Sequence, residues 1–129
     1  MELQVKTSKR CELVDLTEKI NALARDSRVE SGVCFIFTPH TTAGLTINEN
    51  SDPAVRDDLL EALDKITPKL NYKHLEGNSE AHIKSSLIGV SLQVPVKKGK
   101  LDLGTWQAVY FCEFDGPRNR KVLIEFKVF

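Results

Sequence analysis

Apolar positions recur along this chain at two different periods, and the places where the period changes divide it into elements. Leu3 and Val5 alternate with polar residues as far as Lys6, the period-two pattern of a short strand. From Asp15 the period lengthens. Leu16, Ile20 and Leu23 recur at helical spacing, with Asp15 placed to cap and Glu18 three residues on. Val33-Cys34-Phe35-Ile36-Phe37 is a continuous apolar run of β-formers, which predicts a strand buried on both faces and broken by Pro39. Leu45-Thr46-Ile47 predicts a second short strand.

Asp52-Pro53 is a strong helix start, a capping carboxylate followed by proline in the first turn. Val55, Leu59, Leu63 and Ile66 then share one face until Pro68. A second capped helix opens at Ser79, with Ala81, Ile83, Leu87 and Ile88 as apolar positions and Gly89 as the stop. Strand patterns follow over residues 92–96, 100–103, 105–113 and 121–129, separated by turns at 97–99, Gly104 and 115–119. Trp106, Ala108 and Tyr110 share a face of the third of these, as core or interface. The order β, α, β, β, α, α and a closing β meander predicts an α+β fold rather than a doubly wound parallel sheet. At 129 residues there is room for one domain, 1–129, and not for two full cores.

Charge narrows the partners. Eighteen basic residues balance eighteen acidic ones, so the basic excess that a nucleic-acid binder uses to displace counterions is absent. Weak colloidal repulsion at zero net charge suits self-assembly. Lys97, Lys98 and Lys100 flank Gly99 in a hairpin turn, where they read as solvated; a phosphate-binding role is the alternative. No apolar run approaches the roughly 20 residues of a membrane span, and the N-terminal segment lacks the basic-then-apolar layout of a signal peptide. A cytoplasmic location is the expectation. Cys11, Cys34 and Cys112 are odd in number and without close pairing, as small buried hydrophobes in a reducing compartment would be.

The chemistry concentrates in polar turns. Pro39-His40-Thr41-Thr42-Ala43-Gly44 follows an apolar strand, and Asn48-Glu49-Asn50-Ser51-Asp52 follows the next. A third patch runs from His74 to His82 through Glu76, Asn78 and Ser79. All three histidines of the chain lie in such segments beside carboxylates. Three imidazoles with an open fourth position form a recurrent catalytic metal arrangement, although His74 and His82 are not at helical zinc spacing. The bland alternative is three loop histidines, with Asp52 as a helix cap and Asn48 and Asn50 as turn formers. Glu113 ends an apolar strand, where an acid is costly unless paired, and Arg118 across the turn is a candidate to pair with it or to bind phosphate.

The strings HTTAGLTINENSDP, GNSEAHIKSSLIG and LGTWQAVYFCEFDGPR resemble the YjbQ-like family, named for a secondary thiamine-phosphate synthase activity, and the likeness covers nearly the whole chain. The resemblance implies antiparallel, sandwich-like sheets carrying two to three helices, in a homotrimer with sites near subunit contacts. It implies an enzyme acting on phosphorylated small molecules, with a weak activity that joins a pyrimidine diphosphate to a thiazole phosphate and expels diphosphate. A non-catalytic trimeric metal- or ligand-binding protein is the alternative. On the matching positions, His40, Asn48, Glu49, Asp52 and Glu113 become the catalytic candidates. Thr41, Asn50, Ser79 and Arg118 are the phosphate-binding candidates, and His40, His74 and His82 the ligands of a divalent metal. Imidazoles favour zinc, whereas a diphosphate-releasing reaction would more naturally use magnesium. The segment Glu76-Gly77-Asn78-Ser79 is shorter and less acidic than in many relatives, so a role for Glu76 or Asn78 does not carry over.

Overall fold

The structure is a computed structural model describing residues 1–129. Its elements are β1 (Glu2–Lys6), β2 (Glu12–Asp15), α1 (Thr17–Asp26), β3 (Ser31–Phe37), β4 (Ala43–Glu49), α2 (Pro53–Ile66), α3 (Ser79–Ile88), β5 (Ser91–Lys97), β6 (Lys100–Leu101), β7 (Gln107–Glu113) and β8 (Asn119–Val128). The strands form a five-stranded sheet in the order β1-β8-β3-β5-β6 and a three-stranded sheet in the order β2-β7-β4. Every pairing is antiparallel. The fold is therefore α+β, with three helices.

One core of 16 buried residues draws on both sheets and on α1, including Val5, Ile20, Ile36, Leu45, Val94, Phe111 and Ile124. Each fully buried aliphatic or aromatic side chain of this kind contributes about 1.5–3 kcal/mol. A smaller cluster of Leu63, Ala81, Cys112 and Phe114 joins α2 and α3 to the other side of β7. β7 thus lies between two apolar layers, and Ala108 through Glu113 are all buried.

That layering corrects the expectation for residues 33–37. In β3 only Gly32, Cys34 and Ile36 are buried, while Phe35 and Phe37 each remain 42% exposed, because no element covers the outer face of the five-stranded sheet. The strand buried on both sides is β7. Trp106 does not share a face with Tyr110: it sits in the preceding turn, largely exposed, whereas Tyr110 is buried and donates to the Glu49 carbonyl oxygen.

Local carboxylates hold the heads of α1 and α2, whereas α3, expected to open on a cap at Ser79, starts after Asn78 with no side-chain cap. The Asp52 carboxylate accepts the Ala54 N–H at 2.9 Å at the head of α2, and Asp15 accepts the Thr17 N–H at 2.9 Å at the head of α1. Gly89, at φ 95°, ends α3. The buried face of α3 departs from the expected one. It carries Ala81, Lys84 and Ser85, while Leu87 is exposed. Ser85 Oγ donates to the Ala43 carbonyl at 2.6 Å, and Lys84 Nζ reaches Asp64 at 3.1 Å. Polar atoms with partners occupy the positions where apolar spacing had suggested Ile83 and Leu87. Gly44 allows this close approach, since a Cβ there would lie 2.8 Å from the Gly89 carbonyl oxygen.

Candidate functional site

Three connections meet at one end of the two sheets: the β3–β4 link, the α2–α3 link and the β7–β8 turn. Together they enclose a cleft of about 410 Å³ lined by Pro39, His40, Thr41, Thr42, His74, Glu76, Asn78, His82, Asp115, Arg118 and Arg120, none of them hydrophobic. The fold thus brings the three histidines together although His40 is 42 residues from His82. His82 also borders two adjoining cavities, one with Thr41, Ser85 and Ser86 and one with Tyr72, Ser79 and Ile83.

Arg120 is the group that sequence reasoning missed. It is 5% exposed and stands on the inward face of β8 with Val122 and Ile124. Its Nε donates to Glu113 Oε1 at 2.9 Å and its Nη2 to Glu113 Oε2, while Nη2 also reaches Thr42 Oγ1 at 2.9 Å. Nη1 has no partner within the protein and retains contact with solvent, in a residue that lines the cleft. Glu113 is fully buried. Burial pushes its pKa up, but bonds from Arg120, from Thr7 Oγ1 at 2.7 Å and from the Asp115 N–H outweigh it and hold the carboxyl below its usual range. Both of its oxygens are occupied. The expected role of Glu113 as a proton-transferring group therefore gives way to one of positioning Arg120.

Arg118 does not pair with Glu113. The turn directs its guanidinium back onto Asp115, with Nε to the carbonyl oxygen at 2.8 Å and Nη2 to Oδ2 at 3.0 Å. Asn78 Nδ2 donates to the same Oδ2 at 2.9 Å. Burial would raise the Asp115 pKa, but these donors bring it below the ordinary value. Among the charged groups of the lining, Arg118 and Arg120 balance Glu76 and Asp115. The lining therefore carries no net charge, and what it offers is directed hydrogen-bond donors and acceptors.

His40 Nε2 accepts the Lys121 N–H at 3.0 Å. The ring proton of the neutral imidazole is therefore on Nδ1, which has no partner within the protein. Burial, reinforced by the positive charge of Arg120, lowers the His40 pKa and keeps the ring neutral. His74 and His82 meet edge to face with ring centroids 5.4 Å apart, and His74 Nε2 is 3.9 Å from Glu76.

The remaining candidates lie elsewhere. Asn48 and Glu49 form the far end of β4, whose seven residues span about 20 Å at strand rise, and Asn50 and Asp52 follow it. None of them lines the cleft. Asn48 Oδ1 accepts the Glu49 N–H, and Asp52 caps α2. Thr41 lines the cleft and Ser79 the adjoining cavity. The three-imidazole metal site does not fit this arrangement: the Nε2 lone pair of His40 is committed to the backbone, and no three His, Cys, Asp or Glu side chains are grouped to hold a metal ion. Burial pushes the Cys34 and Cys112 thiols up to about 12, which disfavours their thiolates.

Comparisons with known proteins agree with this fold. The UPF0047 protein YjbQ-like family model matches residues 1–127. The UPF0047 protein MJ1081 of Methanocaldococcus jannaschii is 53% identical over 95% of this chain and 89% of its own length. The UPF0047 protein YugU of Bacillus subtilis is 50% identical over 95% of each. A crystal structure of an uncharacterized conserved protein of the YjbQ/UPF0047 family from Clostridium acetobutylicum superposes with a TM-score of 0.95 at 52% identity, covering 98% of this chain and 99% of that one. A YbjQ-like protein of unknown function from Sulfolobus solfataricus gives 0.94 at 32% identity, covering 100% and 96%. With its sequence matched almost end to end and its fold reproduced in these relatives, the chain belongs to the UPF0047, YjbQ-like family.

Proposed function

We propose that the cleft binds a phosphorylated small molecule and breaks or transfers at its phosphate ester. The observation that carries this reading is Arg120, a buried guanidinium fixed on two of its nitrogens with the third free at a predominantly polar cleft. A planar donor held in this way is suited to a phosphate oxygen. His40 adds a neutral Nδ1–H donor, and Arg118 a second guanidinium at the rim. The first turn of α3 adds its amides, because the Asn78 side chain is turned to Asp115 and makes no cap.

The finer reading is thiamine-phosphate synthesis: a thiazole phosphate attacks a pyrimidine methylene and diphosphate leaves, its charge received by Arg120, Arg118 and His40. Turnover of a panel of phosphorylated metabolites, including this substrate pair, with detection of released phosphate and diphosphate, tests the proposal. Loss of release in Arg120→Met with the fold intact supports it. Binding without turnover of any substrate would instead favour the non-catalytic ligand-binding module.

The His74–His82 ring pair favours a second reading, in which these two imidazoles hold a divalent ion, zinc by preference or magnesium, with substrate oxygens completing its shell. Such an ion would neutralise the leaving diphosphate. Assembly as a homotrimer is supported by the uncovered face of the five-stranded sheet, where Phe35 and Phe37 are half-exposed. Light scattering of the wild type and of Phe35→Lys checks it.

A further inference from the structure

A second pocket of about 410 Å³ lies between the C-terminal end of α1 and the β5–β6 hairpin, lined by Arg25, Arg28, Glu30, Lys98 and Lys100 with Ala24, Val29 and Gly99. Four cations meet one acid there, and none of the four has an ion-pair partner in the protein. The neighbouring Lys97, in contrast, is paired with Asp102. Two cross-links fix the walls: the Gly99 N–H donates to the Glu30 carbonyl at 3.3 Å, and Asn21 Oδ1 accepts the Leu101 N–H at 2.9 Å. The backbone walls of the pocket are thus fixed, while the charged side chains that line it are exposed.

The backbone supplies an independent observation. Arg28, at φ 57°, and Lys98, at φ 53°, are the only non-glycine residues of the chain with positive φ, and both line this pocket. Arg28 follows the C-cap of α1, where glycine is the usual residue. Lys98 and Gly99 form the two-residue turn between Lys97 and Lys100, where Asn-Gly is preferred. At both positions the chain carries a long cation in a conformation that disfavours it. The end of the α1 dipole accounts for a cation near Arg25 or Arg28 but not for Lys98 or Lys100. Local rules broken in this way point to a site.

We infer that this pocket is a second anion site, for a small molecule carrying two or more phosphates. It does not rest on the role proposed for the histidine cleft. Its concave shape and the zero net charge of the chain favour a compact polyphosphate over a nucleic-acid strand.

Titration of the ¹⁵N-labelled full chain with inorganic triphosphate, followed by amide shifts, tests the site. The Val29, Gly99 and Lys100 amides are expected to move to saturation, including in the double variant Glu113→Leu/Arg120→Met, which removes the cleft's buried guanidinium together with its partner. Arg28→Gly and Lys98→Asn suit the local backbone better than the native residues. Each is expected to keep or raise the melting temperature while weakening triphosphate about tenfold, the loss of one charge-assisted bond. Unmoved amides at Val29 and Gly99, or an affinity unchanged in both variants, would overturn the site. So would a single-stranded oligonucleotide that outcompetes triphosphate with affinity growing with its length, since that describes a surface track instead of a pocket.

Discussion

Arg120 and Glu113 form a two-point ion pair that ties the two sheets together directly behind the cleft. The guanidinium stands at the start of β8 in the five-stranded sheet, and the carboxylate at the end of β7 in the three-stranded one. Thr7, following β1, and Thr42, preceding β4, complete the cluster at 2.7 Å to Glu113 and 2.9 Å to Arg120. The pair is at once a structural clamp and the support that aims the free edge of Arg120.

Removing one partner should cost much more than removing both. Glu113→Ala leaves a guanidinium buried without compensation, a loss of about 3–5 kcal/mol. The double variant Glu113→Leu/Arg120→Met replaces the pair with apolar groups of similar size and is expected to be more stable than Glu113→Ala alone. Urea denaturation of the single and double variants measures the difference, and equal losses would mean that the pair is not coupled.

The same cluster sets the response to acid. Glu113 and Asp115 titrate below their ordinary values in the fold, so the unfolded chain binds more protons than the native one as pH falls. Stability is therefore present above the ordinary carboxyl range, near pH 4, and is lost as pH drops through the lowered folded values. His40, also lowered, adds a decline that begins below its ordinary value of about 6.5. Melting temperatures followed from pH 7 to pH 3 should fall in both windows, and His40→Gln should remove the upper one.

Gly116 is fixed by crowding around this cluster. A Cβ there would collide with the Lys9 carbonyl oxygen and lie 2.7 Å from Glu113 Cγ. Gly116→Ala should destabilise by about 1–3 kcal/mol, the usual cost of overpacking. A change at Gly77, where a Cβ meets nothing, offers the control for backbone strain without a clash, since its φ is +80°. Thermal melts of the two alanine variants separate steric crowding from the positive-φ penalty.

What the sequence disclosed and what it hid have physical reasons. Asp52 and Gly89 announce helix ends because capping is local chemistry, and the structure has both in place. The polar segments carrying His40 and His74 were visible for a similar reason, since turns are written in short strings, whereas His82 stands in the first turns of α3. Burial is not local. Whether β3 or β7 lies between two layers depends on where α2 and α3 pack, so an apolar run could not tell them apart. Strand β2, four residues with acids at both ends, is too short to show a period. Arg120 was legible in principle: strand alternation places it inward with Val122 and Ile124, and Glu113 required a buried partner. Arg118 was the nearer choice in sequence, but it sits in the turn, where its side chain faces away.

The three histidines should separate in their response to zinc. His74 and His82 are adjacent, while Nε2 of His40 is engaged with the Lys121 N–H. If zinc binds, its site should be built on His74 and His82, so either alanine variant should lose the zinc-dependent rise in melting temperature. That rise is about 2.7 kcal/mol of stabilisation at a hundredfold excess over the dissociation constant. His40→Ala should keep it and lose phosphate affinity instead, by roughly tenfold or more for one charge-assisted bond. Calorimetric titration of zinc and of inorganic diphosphate into the three variants gives both readouts. Loss of zinc binding in His40→Ala would mean that the Lys121 contact opens and that all three imidazoles ligate after all.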